Sequence, residues 1–122
     1  MTLRISPSAA IGLSAAALLF ATQASAHAAL VKSNPAANAA VSAPKTISLT
    51  FNEKLSPAFS GFGLTMGDGM TMKVKTTLSK DHKTITGVPI GGLMAGAYKI
   101  SWHAAAADDG HRTQGVVAFK VK

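Results

Sequence analysis

Cysteine is missing from all 122 residues of the chain. This excludes a disulfide framework, the common support of small exported domains. It also excludes thiolate metal sites and leaves histidine, carboxylate, amine nitrogen and methionine sulfur as ligands. Acidic side chains are few, five against twelve lysines and arginines, for a formal net charge of +7. Aromatic residues are also sparse, with one tryptophan, one tyrosine and five phenylalanines. Nucleic-acid binding would need a basic stripe with exposed aromatics on one face. The lysines are instead scattered at strand ends and turns, so no nucleic-acid partner is expected. The surplus charge suits solubility, or weak attraction to an anionic membrane surface.

Long apolar runs are absent as well, with one exception near the start. Residues 1–26 hold a single basic residue, Arg4, no acidic residue, and an apolar stretch over residues 11–21. That stretch is short for a membrane span and has the length of a secretory signal. Ala24-Ser25-Ala26 supplies the small residues that signal peptidase reads, so cleavage is expected after Ala26, with export to the periplasm. Ala26-His27-Ala28 also fits the small-x-small rule and would start the chain at Ala29. The earlier site follows the apolar run and Gln23 at the usual distance and is preferred. Residues 1–26 are then a signal peptide and residues 27–122 one domain with a modest core.

No helical stripe is sustained after residue 26. Lys45-Thr46-Ile47-Ser48-Leu49-Thr50-Phe51 alternates with a period of two, as does Ala97-Tyr98-Lys99-Ile100-Ser101-Trp102. Val117, Phe119 and Val121 alternate with Ala118, Lys120 and Lys122. These are signatures of half-buried strands. Weaker strands are expected at residues 28–32, 62–66, 70–75 and 83–88. Turns such as Asn34-Pro35, Gly67-Asp68-Gly69, Lys80-Asp81-His82 and Gly91-Gly92 separate them. About seven strands so spaced imply an all-β fold, a small antiparallel Greek-key barrel or sandwich.

Cleavage after Ala26 would leave His27 as the first residue, with an α-amine and an imidazole able to chelate one ion. Copper(II) favours such nitrogen-rich, tetragonal sites. Asp109 and His111 flank Gly110 and stand two residues apart, so a tight turn can turn both to one side and complete a site begun by His27. The alternative at this point is an ordinary Asp-Gly turn with an exposed histidine beside it. His103, by parity, points away from Trp102 and reads as peripheral. Trp102 reads as a core anchor.

Ordered segments of the chain resemble the CopC family of periplasmic copper-binding, copper-resistance proteins. His27-Ala28-Ala29-Leu30-Val31-Lys32-Ser33-Asn34-Pro35-Ala36 is similar to the opening H-x-x-L-x-x-S-x-P-A. Phe51-Asn52-Glu53 is similar to F-x-E, and the segment from Tyr98 to Trp102 to Y-x-V-x-W. Asp109-Gly110-His111, followed by Gly115, Phe119 and Val121, is similar to D-G-H-x-x-x-G-x-x-x-F-x-V. The resemblance implies a cupredoxin-like barrel. It implies a copper(II) site made by the amine and imidazole of His27 with Asp109 and His111, and a carboxylate, Glu53, that orients the amine from outside the coordination sphere. It further implies copper resistance, by buffering or by delivery to an inner-membrane transporter of the CopD type, with no catalysis. A monomer is expected.

Met66, Met70 and Met72 lie close together around Gly67-Asp68-Gly69. Thioether sulfur suits copper(I), and some family members bind that ion through a methionine-rich loop here. The version in this chain is reduced, and core packing competes with the ligand reading for these side chains. Met94 reads as packing. The rival from another class is an oxidative enzyme, since polysaccharide monooxygenases also hold copper with an N-terminal histidine brace. The short chain and the core parity of its few aromatics argue against a broad substrate face. Asp109, as an equatorial ligand, would also occupy the position oxygen needs.

Overall fold

The computed structural model describes residues 27–122. The expected signal peptide and the bond after Ala26 lie outside the described residues. Nine strands follow in order: β1 (Leu30–Asn34), β2 (Ala40–Val41), β3 (Ile47–Phe51), β4 (Gly61–Met66), β5 (Thr71–Met72), β6 (Val74–Leu78), β7 (Thr84–Pro89), β8 (Gly96–Ala105) and β9 (Arg112–Val121). A single 3-10 turn, Pro57–Phe59, precedes β4. One sheet runs β1-β3-β7-β6 and the other β2-β9-β8-β4-β5. The chain is all-β, a Greek-key sandwich of the expected cupredoxin-like kind.

Alternation along the strands explains how the two sheets meet. Ile47, Leu49 and Phe51 are buried on β3, while Ser48 and Thr50 face outward and are half-buried. Tyr98 and Ile100 on β8 and Phe119 on β9 cover them from the other sheet. Phe51 meets Trp102 edge-on across the sandwich, with ring centroids 5.1 Å apart. Such an aromatic pair contributes roughly 1 kcal/mol beyond its buried area. The Tyr98 hydroxyl donates to the Met94 carbonyl at 2.7 Å, which removes the cost of burying that ring. Gly115 lies directly opposite Trp102, and a β-carbon there would stand 2.6 Å from the indole. The indole packs flat onto β9 because this residue has no side chain.

The structure corrects several sequence expectations. The strand expected at residues 28–32 runs instead from Leu30 to Asn34. The strand expected at residues 70–75 is two. β5 pairs with β4 in one sheet, the chain crosses at Lys73, and β6 pairs with β7 in the other. β2 was not foreseen, and its pairing with β9 is parallel, so the sandwich is not wholly antiparallel. Met94 is 67% exposed rather than packed. Trp102 anchors the core as expected but remains half-buried.

The register sorts the chemistry of the chain to opposite ends. Gly61 pairs with His103 and Met66 with Tyr98, so β4 and β8 define the two ends. His82, whose carbonyl accepts from Leu55 N–H, and His111, whose carbonyl accepts from Ala106 N–H, lie at the His103 end. Met66, Met70, Met72 and Met94 lie at the other.

Candidate metal centre

The segment leading into β1 is held by backbone hydrogen bonds. Ala28 is buried, and its carbonyl accepts from the Thr113 hydroxyl at 2.9 Å. Ala29 N–H donates to Asn52 Oδ1 at 2.7 Å, and its carbonyl accepts from Asn52 N–H at 3.1 Å. These three bonds fix the two residues after His27 and direct its exposed side chain toward the turn between β8 and β9.

That turn is built by Asp109 and Gly110. Gly110 takes a φ of +71°, a conformation that costs glycine little, and its N–H donates to the Ala106 carbonyl at 2.9 Å. Asp109 Oδ1 accepts from His111 N–H at 2.9 Å. Ala106 N–H donates to the His111 carbonyl at 3.0 Å. On the other side, Ala107 N–H donates to the Lys54 carbonyl, and Leu55 bridges to Ala106. The turn is thereby tied to the segment after Phe51 that contains Asn52 and Glu53.

His27 and His111 meet here, with imidazole centroids 3.9 Å apart and planes tilted by 37°. They are 84 positions apart in sequence, and only the sandwich topology joins them. Asp109 belongs to the same turn, but one carboxylate oxygen is committed to it. Among the described residues, no three histidine or carboxylate side chains form a ready cluster for an ion. The structure therefore brings together two of the three expected ligands and leaves Asp109 beside them. Glu53 is half-buried two residues after Phe51.

The donors suit copper(II) as cargo. Metal–imidazole bonds are about 2 Å long, so two nitrogens on one ion lie within about 4 Å of each other. The two ring centroids stand 3.9 Å apart, on the same scale as that span. Imidazole nitrogen with one carboxylate oxygen is a set copper(II) accepts. Sequence reasoning missed Asn52 and Thr113, which hold His27 in place through the backbone. Asn52 lies inside the F-x-E segment, and Thr113 shares strand parity with His111, but neither signal names a partner.

The methionines divide. Met66 and Met72 are half-buried against the core, whereas Met70 is 58% exposed. Leu64 pairs with Met72, and Met66 N–H donates to the Met70 carbonyl, so all three share one face of the β4–β5 hairpin. His82 lies at the opposite end of the sandwich.

Fold and site define a class: a small two-sheet β-sandwich whose N-terminal segment brings one imidazole onto another. Residues 30–122, beginning just after His27, match the CopC domain family model. The chain is 41% identical to copper resistance protein C of Xanthomonas campestris pv. juglandis over 114 residues, 88% of this chain and 89% of the relative. Copper resistance protein C of Pseudomonas syringae pv. tomato is 41% identical over 119 residues, 92% of this chain and 94% of its own. The crystal structure of PcoC, a methionine-rich copper resistance protein from Escherichia coli, superposes with a TM-score of 0.73 at 37% identity. That match covers 80% of this chain and all of PcoC. The chain belongs to the CopC family.

Proposed function

We propose that the protein binds copper(II) in the periplasm and contributes to copper resistance, buffering the ion or handing it to an inner-membrane transporter of the CopD type. The ligands are the amine and imidazole of His27, released by cleavage after Ala26, with His111 and Asp109. Glu53 orients the amine. The observation that carries this reading is the contact between the His27 and His111 rings. Burial of Ala28 and its bond to Thr113 support the cut after Ala26, because a cut after Ala28 would remove a packed residue and His27 with it. The names of the curated relatives supply the link to copper resistance.

A binding protein fits better than a histidine-brace oxidase. Phe51, Phe62, Tyr98 and Phe119 are buried and Trp102 is half-buried, so among the described residues Phe59 is the one exposed phenylalanine, tyrosine or tryptophan. A polysaccharide-cleaving face would need several. A second, weaker copper(I) site on Met66, Met70 and Met72 is favoured by their shared hairpin face. The test is copper titration of the processed protein under oxidising and reducing conditions. Loss of copper(II) uptake in His111→Ala, with copper(I) uptake retained, is expected; unchanged copper(II) uptake would overturn the assignment.

A further inference from the structure

Lysines that look scattered in the sequence are gathered by the fold. Lys45 precedes β3, Lys73 joins β5 to β6, and Lys120 and Lys122 close β9, which brings these exposed residues to the methionine end. Lys99 stands nearby on β8. Asp68 is the one acidic residue at that end, and its Oδ1 accepts from Met70 N–H. Glu53, Asp81, Asp108 and Asp109, the other four of the five acidic residues, lie at the histidine end. The described residues thus carry their positive excess on the side away from His27 and His111.

The same end exposes apolar side chains. Ile90 is 61%, Met94 67% and Met70 58% exposed. Ile90 N–H donates to the Lys73 carbonyl at 2.9 Å, so a lysine and an isoleucine project from adjacent positions. Lys75 and Val88 repeat the arrangement two pairs further along, with Val88 47% exposed. On the outer face of the other sheet, a groove of about 300 Å³ is floored by Gly67, Ala97 and Ala118. Ala97 pairs with Lys120 and Lys99 with Ala118, so the two lysines stand diagonally across this floor of small residues.

We propose that this end docks on an anionic phospholipid surface, with the lysines at the phosphates and Ile90 and Met94 in the headgroup boundary. Each lysine near such a surface strengthens binding about fivefold, and the apolar tips add to it. A lipid surface fits better than a protein partner, because lysine is depleted from the apolar cores of stable protein interfaces. Here lysines stand beside the exposed Ile90 and Val88. Docked in this way, the protein would turn His27 and His111 toward the aqueous side. The proposal stands whether or not those residues bind copper.

The test is vesicle flotation of the purified protein with phosphatidylglycerol-containing and pure phosphatidylcholine vesicles. Binding to the anionic vesicles alone is expected, weakening as salt shortens the screening length from about 10 Å at 0.1 M to about 3 Å at 1 M. Lys99→Glu with Lys120→Glu should weaken it by at least about thirtyfold. Lys54→Glu with Lys80→Glu removes the same net charge from the histidine end and should leave most of the binding. Equal losses in the two double variants, equal binding to both kinds of vesicle, or no binding to either overturns the proposal. The last result would leave an acidic protein as the occupant to seek.

Discussion

Asn52 grips Ala29 from both sides, accepting its N–H at 2.7 Å and donating to its carbonyl at 3.1 Å. An asparagine one residue past the end of β3 thereby behaves as one more rung of the β1–β3 ladder. The rung lies two residues from His27. Asn52→Ala loses the side-chain half of this grip and should cost about 1 kcal/mol of stability. Copper(II) affinity should fall further than that, by about 10- to 100-fold, as when the groups that orient metal ligands are removed. Thermal melting and copper competition on the same variant separate the two effects. An unaltered affinity would mean that the grip on Ala29 does not position His27.

Thr113→Val keeps the shape of the side chain and deletes its bond to the Ala28 carbonyl. The buried carbonyl would then lack that partner, a loss of about 1–3 kcal/mol. The melting temperature should fall by several degrees, and copper affinity should fall with it.

Gly115→Ala tests the packing of Trp102. A methyl group 2.6 Å from the indole must push it off β9 and away from Phe51. A destabilisation of about 1–3 kcal/mol is expected, with a shift in tryptophan emission that reports the displaced ring. A wild-type spectrum and melting curve would contradict the packing described.

How much of this was legible follows the range of the interactions. β3, β8 and β9 were readable because each is long enough for its alternation to appear alone. β2 was not, since two residues acquire strand geometry only by lying beside Lys120 and Val121. The segment around Met70 to Lys75 alternates without a break, and its crossing between sheets at Lys73 is set by partners distant in the chain. His27, Asp109 and His111 were readable as candidates from their chemistry and from the family resemblance. Asn52 and Thr113 were not, because they act on backbone atoms that every residue carries. The lysines gave no hint of their common end until strand order was known.

Asp81 tests the acid response of the β6–β7 turn. Its carboxylate accepts from the Ser79 hydroxyl at 2.5 Å and from Lys83 N–H at 3.1 Å, and these bonds, the Ser79 one first, hold its pKa below the ordinary 3.8. A carboxylate lowered on folding stabilises the fold above its unfolded pKa, and that contribution is lost as pH falls through the folded value. Asp81→Ala should therefore melt lower than wild type at neutral pH, with the gap closing below about pH 4. A gap that persists into acid would contradict this origin. The side chain is exposed, so the effect should be small.

On the proposed function copper(II) should raise the melting temperature, because an ion held only by the folded chain stabilises it. At a hundredfold excess over the dissociation constant the gain is about 2.7 kcal/mol, which for a domain of this size corresponds to roughly 10–20 °C. Chelation should reverse it.

The most direct test is native mass spectrometry of the exported protein, titrated with copper(II) before and after its α-amine is acetylated. A chain beginning at His27 that takes up one copper(II) ion is expected, with a large loss of uptake once the amine is blocked. A different first residue, or uptake indifferent to acetylation, would contradict the proposed site.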